Sequence, residues 1–256
     1  MIFIGERINT GFKDIKAAVE EKNPAAIHEW AKKQTEAGAS YLDVNLGAIS
    51  SDPADMCWMI EQTQSAVDTP ISIDTNKPAI LAEAIKVCNK PPLINSSTAA
   101  VEKMEVFLPI AVEHNASIIG LAMDESGSPK SADMRVEKAG IFVMTAMEMG
   151  IPPEHIFLDP IAMPLKFMQE QQKEILEAIR QFQLFSDPAP HVTCGLSNVG
   201  NGTTQKSLIT RTFLTMAIAA GMDSAIVDIM DKELVNAAKA AELLLNREIY
   251  ADSFAV

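Results

Sequence analysis

Acidic and carboxamide side chains recur along this sequence, each placed directly after a short apolar run. Asp74 follows ISI, Asn95 follows PLI, and Asp159 follows IFL. An ionised carboxylate only accepts hydrogen bonds, whereas a carboxamide offers a donor and an acceptor side by side. One carboxylate can accept two neighbouring N–H groups at once, such as those on the edge of a 2-amino-4-oxopyrimidine. These residue types therefore indicate recognition of a flat nitrogen heterocycle with a donor-rich edge.

Polar residues stand in the same place after nearly every apolar run of the chain. In order, these positions hold Glu6 and Asn9, Asp43 and Asn45, Asp74, Asn95, Met123 and Asp124, Asp159, Ser197 and Asn198, and Asp228. Asp and Asn are also common in turns, so any one of them alone would carry little weight. Carboxylates in such a set could also hold Mg²⁺ through oxygen ligands. The carboxamides between them suit a metal less well, and no metal site is predicted.

The residue types that several other chemistries require are missing from these positions. None of the four histidines follows an apolar run, and His191 precedes one, so an imidazole-bound metal of the hydrolase kind is not expected. No lysine lies within or directly after a run, which removes the nucleophile of a Schiff-base aldolase. A GxSxG elbow is also absent. Cys57, Cys88 and Cys194 are too widely and irregularly spaced for a disulfide framework or a CxxC metal site.

The apolar runs alternate with longer amphipathic stretches along the whole chain. The predicted strands are Ile2–Gly5, Tyr41–Asn45, Ile71–Asp74, Pro92–Asn95, Ser117–Leu121, Ile156–Asp159, Val192–Leu196 and Ser224–Asp228. The predicted helical stretches are 24–37, 54–67, 78–88, 100–114, 132–149, 168–186, 207–220 and 232–246. The strand candidates are almost continuously apolar, as expected for parallel strands that are covered on both faces.

Eight strand-then-helix units in 256 residues predict an α/β fold of the (β/α)8 TIM-barrel type, as a single domain over residues 1–256. A doubly wound open sheet is the alternative fold. It often carries a glycine-rich first turn, and the segment GERINTG after the first strand is not a GxGxxG motif. In a TIM barrel the active site gathers at the carboxyl ends of the strands, where the polar residues stand.

Composition narrows the function classes further. A hydrophobic content of 48% is sufficient for a large core, and no apolar run is long enough to cross a membrane. The net charge of −13, without a basic stripe, argues against nucleic-acid binding. Glu6 comes too early for a signal peptide, so a cytoplasmic location is expected. The 14 methionines, including Met144, Met147 and Met149, are expected to fill gaps in the core.

Eight motifs follow one another in a recognisable order. They are GERIN, LDVN, SIDT, LINSS, IIGLAMDESGSPK, FLDPIAMP, GLSNVG and RTFLTMA. In order and spacing the chain resembles the methyltetrahydrofolate:corrinoid/iron-sulfur protein methyltransferases and the folate domain of cobalamin-dependent methionine synthase. The resemblance covers essentially the whole chain. It implies a pterin-binding TIM barrel that moves a methyl group between N5 of tetrahydrofolate or 5-methyltetrahydrofolate and the cobalt of a corrinoid.

The resemblance also implies a set of site residues, motif by motif. Asp74, Asn95 and Asp159 are expected to hold the pterin ring, and Asn198 is expected to be the catalytic hydrogen-bond donor near N5. Further pterin-site residues implied in the same way are Gly195, Ser197, Lys206, Glu6, Asn45 and Asn201. Two positions depart from the family pattern, because Lys206 stands where an Arg is usual and Asn201 where a Gln can occur. A lysine is a point charge and holds a carboxylate less rigidly than the arginine fork.

The partner and the direction of transfer are less well defined. The sequence contains neither a DxHxxG cobalamin motif nor a glycine-rich S-adenosylmethionine motif, so the corrinoid is expected on a separate protein that docks over the barrel mouth. The resemblance implies a homodimer and leaves the direction open. A dihydropteroate synthase-like enzyme is one alternative, although it needs cations for pyrophosphate near the last strand, where AIVDIMD is acidic. A non-catalytic folate-binding protein is the other, and it would lack the donor that Asn198 provides.

Overall fold

Eight parallel strands form one sheet in the computed structural model, which describes residues 1–255. The strands are β1 (Ile2–Asn9), β2 (Tyr41–Asn45), β3 (Ile71–Asp74), β4 (Leu93–Thr98), β5 (Ser117–Leu121), β6 (Ile156–Asp159), β7 (His191–Val192) and β8 (Ser224–Val227). Each strand from β1 to β6 pairs in parallel with the next, and β8 pairs with β1. Sequential parallel strands joined by helices are the topology of a TIM barrel.

The barrel closes between β7 and β8, which stand at the two ends of the hydrogen-bonded order. A parallel bridge joins Gly195 to Ile226 just beyond β7, and the backbone N–H of Ile226 donates to the carbonyl oxygen of Cys194 at 3.0 Å. At the opposite mouth, Nδ1 of His191 lies 2.6 Å from a carboxylate oxygen of Asp223. These contacts complete the ring, and the prediction of a TIM barrel is confirmed.

Helices surround the sheet. They are α1 (Lys13–Glu20), α2 (Ala25–Glu36), α3 (Pro53–Ala66), α4 (Pro78–Ala84), α5 (Val101–Glu113), α6 (Ala132–Glu148), α7 (Gln171–Phe182), α8 (Lys206–Ala220) and α9 (Lys232–Leu244). Several begin at side-chain caps, which satisfy backbone N–H groups of the first turn. The side chains of Asp52, Ser131 and Asp231 accept from backbone N–H groups of α3, α6 and α9. Within residues 1–255, no helix is long and apolar enough to span a membrane.

The hydrophobic core lies in two separate places. Most buried apolar residues pack between the outer face of the sheet and the helices. A second, smaller cluster comes from four strands and consists of Ile4, Leu93, Ile119 and Phe157. A Cβ on Gly5 would lie 2.5 Å from Oε1 of Gln34 on α2, so Gly5 faces the helices and its neighbour Ile4 faces the barrel interior. The small cluster therefore fills the barrel below its open mouth.

Some predicted boundaries are wrong. β1 continues to Asn9 through an irregularity between Gly5 and Ile8, and β4 continues to Thr98, so Glu6 and Asn95 lie inside strands rather than at their ends. The regular pairing of β7 stops at Val192 instead of Leu196, although Cys194 is buried as expected. Helix α1 was not predicted, and α7 is shorter than the stretch 168–186 at both ends.

The expectation that methionines fill the core is confirmed for Met56, Met59 and Met222, which are fully buried, and is wrong for the three methionines in and just after the last turns of α6. Met144, Met147 and Met149 are exposed by 64%, 41% and 38%. The inner face of α6 is already occupied by smaller and aromatic residues, among them Ala139 and Phe142, both fully buried. The hydrophobic character of a residue does not by itself show which face of an amphipathic helix that residue occupies.

Candidate functional site

A polar cavity of about 260 Å³ opens at the carboxyl ends of β2, β3 and β4. Its walls include Asn45, Asp74, Thr75, Lys77, Asn95 and Ser96. Asn45 pairs in register with Asp74, and Asp74 pairs with Asn95, so the three side chains stand at one level of the barrel. The strand registers therefore bring together three of the predicted pterin-site residues.

Hydrogen bonds connect these three residues to one another and to a fourth. Nδ2 of Asn45 donates to the carboxylate of Asp74. Nδ2 of Asn95 donates to Oδ1 of Asp43 at 3.1 Å, and the hydroxyl of Ser72 donates to the same oxygen at 2.5 Å. Burial raises the pKa of Asp74, while its hydrogen bonds with Asn45 and Asp43 oppose that change. The wall of the cavity is thus a continuous hydrogen-bonded chain of acids and carboxamides.

Asp43 was noted at the end of a strand but was not assigned to the site. Its residue is only 3% exposed, and it lies two positions before Asn45 on the same face of β2. That period-two relation to Asn45 was the available signal, because alternate residues of a strand share a face. Burial raises the pKa of Asp43 well above its usual range, and the neighbouring charge of Asp74 raises it further.

Asp159 ends β6 and is not among the residues that line this cavity. Its carboxylate accepts hydrogen bonds from the backbone N–H of Ile161, at 2.7 Å, and from the backbone of Gly195. Burial raises the pKa of Asp159 to about 6, although these hydrogen bonds and the positive charge of Arg135 act in the opposite direction. These contacts offset only part of the cost of burying the charge. The carboxylate is therefore a strong acceptor for a ligand that supplies N–H donors.

Arg135 on α6 holds the loop that follows Asp159. The arginine is fully buried, and its Nε donates to the carbonyl oxygen of Pro160 at 2.7 Å. Its two terminal nitrogens donate to the carbonyl oxygen of Ser131 at 3.1 Å and to Oε1 of Gln171 at 3.2 Å. The guanidinium therefore ties the end of β6 to the starts of α6 and α7.

A turn of 3-10 helix, Leu196–Asn198, presents the predicted catalytic residue. Asn198 is exposed, and within residues 1–255 its carboxamide has no hydrogen-bond partner. Its Nδ2 would lie 3.2 Å from a Cβ on Gly195, so the side chain folds back over that glycine. The donor is available to a ligand above the barrel mouth.

Glu6, Ser197, Lys206 and Asp228 form the remaining side of the mouth. The hydroxyl of Ser197 donates to Oε1 of Glu6 at 2.7 Å. Burial raises the pKa of Glu6, the charge of Asp228 adds to that effect, and Ser197 and Lys206 oppose it. Lys206 is exposed at the start of α8, and Asn201 is half-buried in the loop before it.

The predicted site residues therefore fall into two groups at one mouth. Asn45, Asp74 and Asn95 form the first group, and the segment from Gly195 to Asn198 together with Glu6 forms the second. Asp159 joins the second group through its contact with the Gly195 backbone. Among the described residues, no group of three or more His, Cys, Asp or Glu side chains is placed to hold a metal ion.

Comparisons with known proteins show the family of the chain. A sequence model of the family described as pterin binding enzyme matches residues 5–228. The chain is 34% identical over 254 residues to a methylcorrinoid:tetrahydrofolate methyltransferase of Eubacterium limosum, covering 97% of this chain and 92% of that protein. It is 27% identical over 241 residues to a methionine synthase of Mycobacterium tuberculosis, which covers 89% of this chain but only 20% of that longer protein.

Solved structures show the same fold. A dihydropteroate synthase from Clostridium difficile, crystallised with pteroic acid, superposes with a TM-score of 0.70 at 19% identity, covering 95% of this chain and 96% of that chain. A 7,8-dihydropteroate synthase from Vibrio fischeri gives a TM-score of 0.72 at 19% identity, covering 97% of this chain and 94% of that one. At this identity the likeness concerns the architecture of the barrel and not its reaction.

Proposed function

Because this chain belongs to the family of pterin binding enzymes, we propose that it is a methyltransferase acting between tetrahydrofolate N5 and the cobalt of a separate corrinoid protein. The observation that carries the proposal is the 34% identity, over 97% of the chain, to a methylcorrinoid:tetrahydrofolate methyltransferase. A methionine synthase matches over 89% of the chain. The dihydropteroate synthases, at 19% identity, are related to this chain by fold alone.

The chemistry of the pocket supports a pterin as the ligand. Asp159 supplies a carboxylate that can accept the paired N–H and NH2 groups of the aminopyrimidinone edge. Asp74 and Asn95 supply further acceptors across the cavity. Two of these three residues are only 9% exposed, so a ring that reaches them displaces water and meets strong, desolvated hydrogen-bonding partners.

Asn198 is proposed to act where the methyl group moves. When a methyl group leaves N5 for cobalt(I), the bonding electron pair stays on N5 and the nitrogen takes up a proton. In the opposite direction, N5 of tetrahydrofolate would attack the methyl group of methylcobalt(III); the cobalt–carbon bond would break with its electron pair left on cobalt(I), and N5 would lose its proton to solvent. A carboxamide near N5 stabilises the changing charge in both cases, and one such placed donor contributes about 2–4 kcal/mol in comparable sites.

The corrinoid would reach the ring from the open mouth of the barrel. Asn198 is exposed at that mouth. The homodimer that the family resemblance implies and the cytoplasmic location expected from the N-terminal sequence remain predictions.

A methyl-transfer assay tests the proposal. The protein is mixed anaerobically with methyltetrahydrofolate and free cob(I)alamin, and separately with tetrahydrofolate and methylcobalamin, while the cobalt absorbance is followed. Formation or consumption of methylcobalamin at a rate proportional to protein is the expected result. Absence of change in both directions, with reduced folate still bound, would favour a non-catalytic folate-binding protein.

The dihydropteroate synthase-like alternative can be tested with the same preparation. That reaction requires cations for the leaving pyrophosphate, and here the last strand is followed by Asp228 and Asp231. We therefore expect no condensation of a pterin pyrophosphate with p-aminobenzoate. Formation of dihydropteroate would contradict the proposed reaction but not the pterin pocket.

A further inference from the structure

Asp43 is a deeply buried carboxyl group that the proposed reaction does not use directly. It is 3% exposed, and among the described residues it has no salt-bridge partner. Its Oδ1 accepts hydrogen bonds from Ser72 at 2.5 Å and from Asn95 at 3.1 Å. Its other neighbour is a second acid, Asp74, on the adjacent strand. An unpaired buried charge at this place would be costly.

The pair Asp43–Asp74 can hold one negative charge but not two. Two carboxyl groups in hydrogen-bond contact, with little access to water, share a proton. Asp43 is the more enclosed of the two, and burial raises its pKa well above the usual range. Asp74 is buried too, but the hydrogen bonds from Asn45 and Asp43 favour its charged form. The proton therefore resides on Asp43, which donates to Asp74.

This placement of one proton fixes the direction of every neighbouring hydrogen bond. Nδ2 of Asn95 is committed to Asp43, so its Oδ1 is left as the group for a ligand. A flipped Asn95 would set its oxygen against the oxygen of Asp43 that already accepts from Ser72. Asp74 receives donors from Asn45 and from Asp43 and remains an acceptor.

We propose that Asp43 is a positioning residue, held in its neutral form, that sets the hydrogen-bonding polarity of the pocket. Through it, Asn95 and Asp74 both present acceptors to the N–H groups of a reduced pterin ring. Asp43 itself does not touch the ring. This inference rests on the proposed function, because it explains why the same pocket would bind a reduced pterin.

Substitutions at Asp43 separate this role from a merely structural one. In Asp43→Asn, Nδ2 can donate to Asp74 while Oδ1 still accepts from Ser72 and Asn95, so the variant imitates the neutral acid. Asp43→Ala removes both functions and frees the Asn95 carboxamide to rotate. Ser224→Ala serves as the matched control, because Ser224 is a fully buried strand residue whose hydroxyl donates to that of Thr193, away from the Asp43–Asp74 pair.

The experiment measures the Kd for tetrahydrofolate by anaerobic calorimetry, together with KM and kcat for methyl transfer and the thermal midpoint of each variant. The Asp43→Ala variant is expected to bind tetrahydrofolate about 10- to 100-fold more weakly, and the loss in methyl transfer should lie mostly in KM. The reason is that Asn95 and Asp74 lose the partner that fixes the direction of their hydrogen bonds. Asp43→Asn is expected to restore affinity to within about threefold of the parent, and Ser224→Ala to leave it unchanged.

Two results would overturn the inference. One is a folded Asp43→Asn that binds as weakly as Asp43→Ala, since the group would then be needed as an anion. The other is a folded Asp43→Ala that binds as tightly as the parent. If Asp43→Ala does not fold, the comparison of Asp43→Asn with the parent decides alone. A parent protein that does not bind tetrahydrofolate would instead refute the proposed function.

Discussion

The carboxylate of Asp159 accepts a hydrogen bond from the backbone of Gly195, the residue at which the turn presenting Asn198 begins. The two residues come from successive strand ends, β6 and the segment just beyond β7. One carboxylate can therefore hold a ring and, through the backbone, set the position of the donor beside it. Several measurable consequences depend on this link.

Replacing Asp159 by Ala should weaken the binding of tetrahydrofolate about 10- to 100-fold, because a charge-assisted pair of hydrogen bonds is lost. Calorimetry gives the Kd directly. Asp68→Ala is the matched control, since Asp68 lies in the loop between α3 and β3 with a side chain that is 90% exposed. Equal affinities for the Asp159 variant and the parent would remove Asp159 from the pocket.

Replacing Asn198 by Ala should lower kcat about 100-fold while the Kd for tetrahydrofolate changes by less than about threefold, because the donor acts mainly as charge changes on N5. Stopped-flow absorbance at the cobalt bands measures kcat. Asn201→Ala, three residues further along the same loop, should reduce kcat much less. A loss confined to Kd would assign Asn198 to ground-state binding instead.

Gly195→Ala should reduce kcat about tenfold without a large change in stability. The backbone at Gly195 has φ −74°, which alanine can adopt, so the effect comes from contact and not from backbone strain. Its added Cβ would lie 3.2 Å from Nδ2 of Asn198 and should displace that side chain. The measurement is kcat beside the thermal midpoint, and an unchanged kcat would show that Asn198 is free to move independently.

The affinity for reduced folate should depend on pH through Asp159. Its pKa is raised from 3.8 to about 6 by burial, and only the ionised form accepts two donors at once. Affinity should therefore fall as the pH drops below about 6. The stability of the ligand-free protein has the opposite trend. A raised carboxyl pKa stabilises the fold most below 3.8, and this contribution is lost as the pH rises through about 6.

Titration of Kd and of the free energy of unfolding between pH 4 and 8 checks both trends. In Asp159→Asn, the free energy of unfolding should change less with pH over this range, because an asparagine side chain does not titrate. A parent whose affinity is constant over this range would contradict the assignment.

Arg135→Ala should destabilise the protein by about 2–4 kcal/mol, because three hydrogen-bond acceptors lose their buried donor. The loop after β6 should also loosen, since Nε of Arg135 holds the carbonyl of Pro160 beside Asp159. Urea unfolding measures the first effect and the Kd for tetrahydrofolate the second. Lys173→Ala, with a side chain that is 81% exposed, is the control for loss of a cation. A stability loss within about 0.5 kcal/mol would show that water replaces the guanidinium.

Much of the fold was predictable because strand and helix periods alternate so regularly. Asp74 and Asp159 end their strands as predicted, so the rule that active sites gather at the carboxyl ends of barrel strands placed them correctly. The extent of β1 was not predictable in the same way. Its irregular pairing between Gly5 and Ile8 depends on the neighbouring strand, and it carries Glu6 inside the strand.

The sequence alone also does not show which side chains contact one another inside the mouth of the barrel. Asp43 and Asp74 are 31 positions apart, and only the register of β2 on β3, which pairs Asp43 with Ser72 and Asn45 with Asp74, shows that the two acids are neighbours. The short regular part of β7 likewise follows from the closure of the ring beside β8. Residue types identified the chemistry of the wall, whereas strand register determined which acids meet.

A structure of the protein with bound tetrahydrofolate tests the central claim most directly. The account predicts that the pterin ring lies between Asp74, Asn95 and Asp159, with the Asn95 oxygen turned toward the ring and N5 facing Asn198 at the open mouth. A ring bound elsewhere, or one with N5 turned into the barrel away from Asn198, would contradict it.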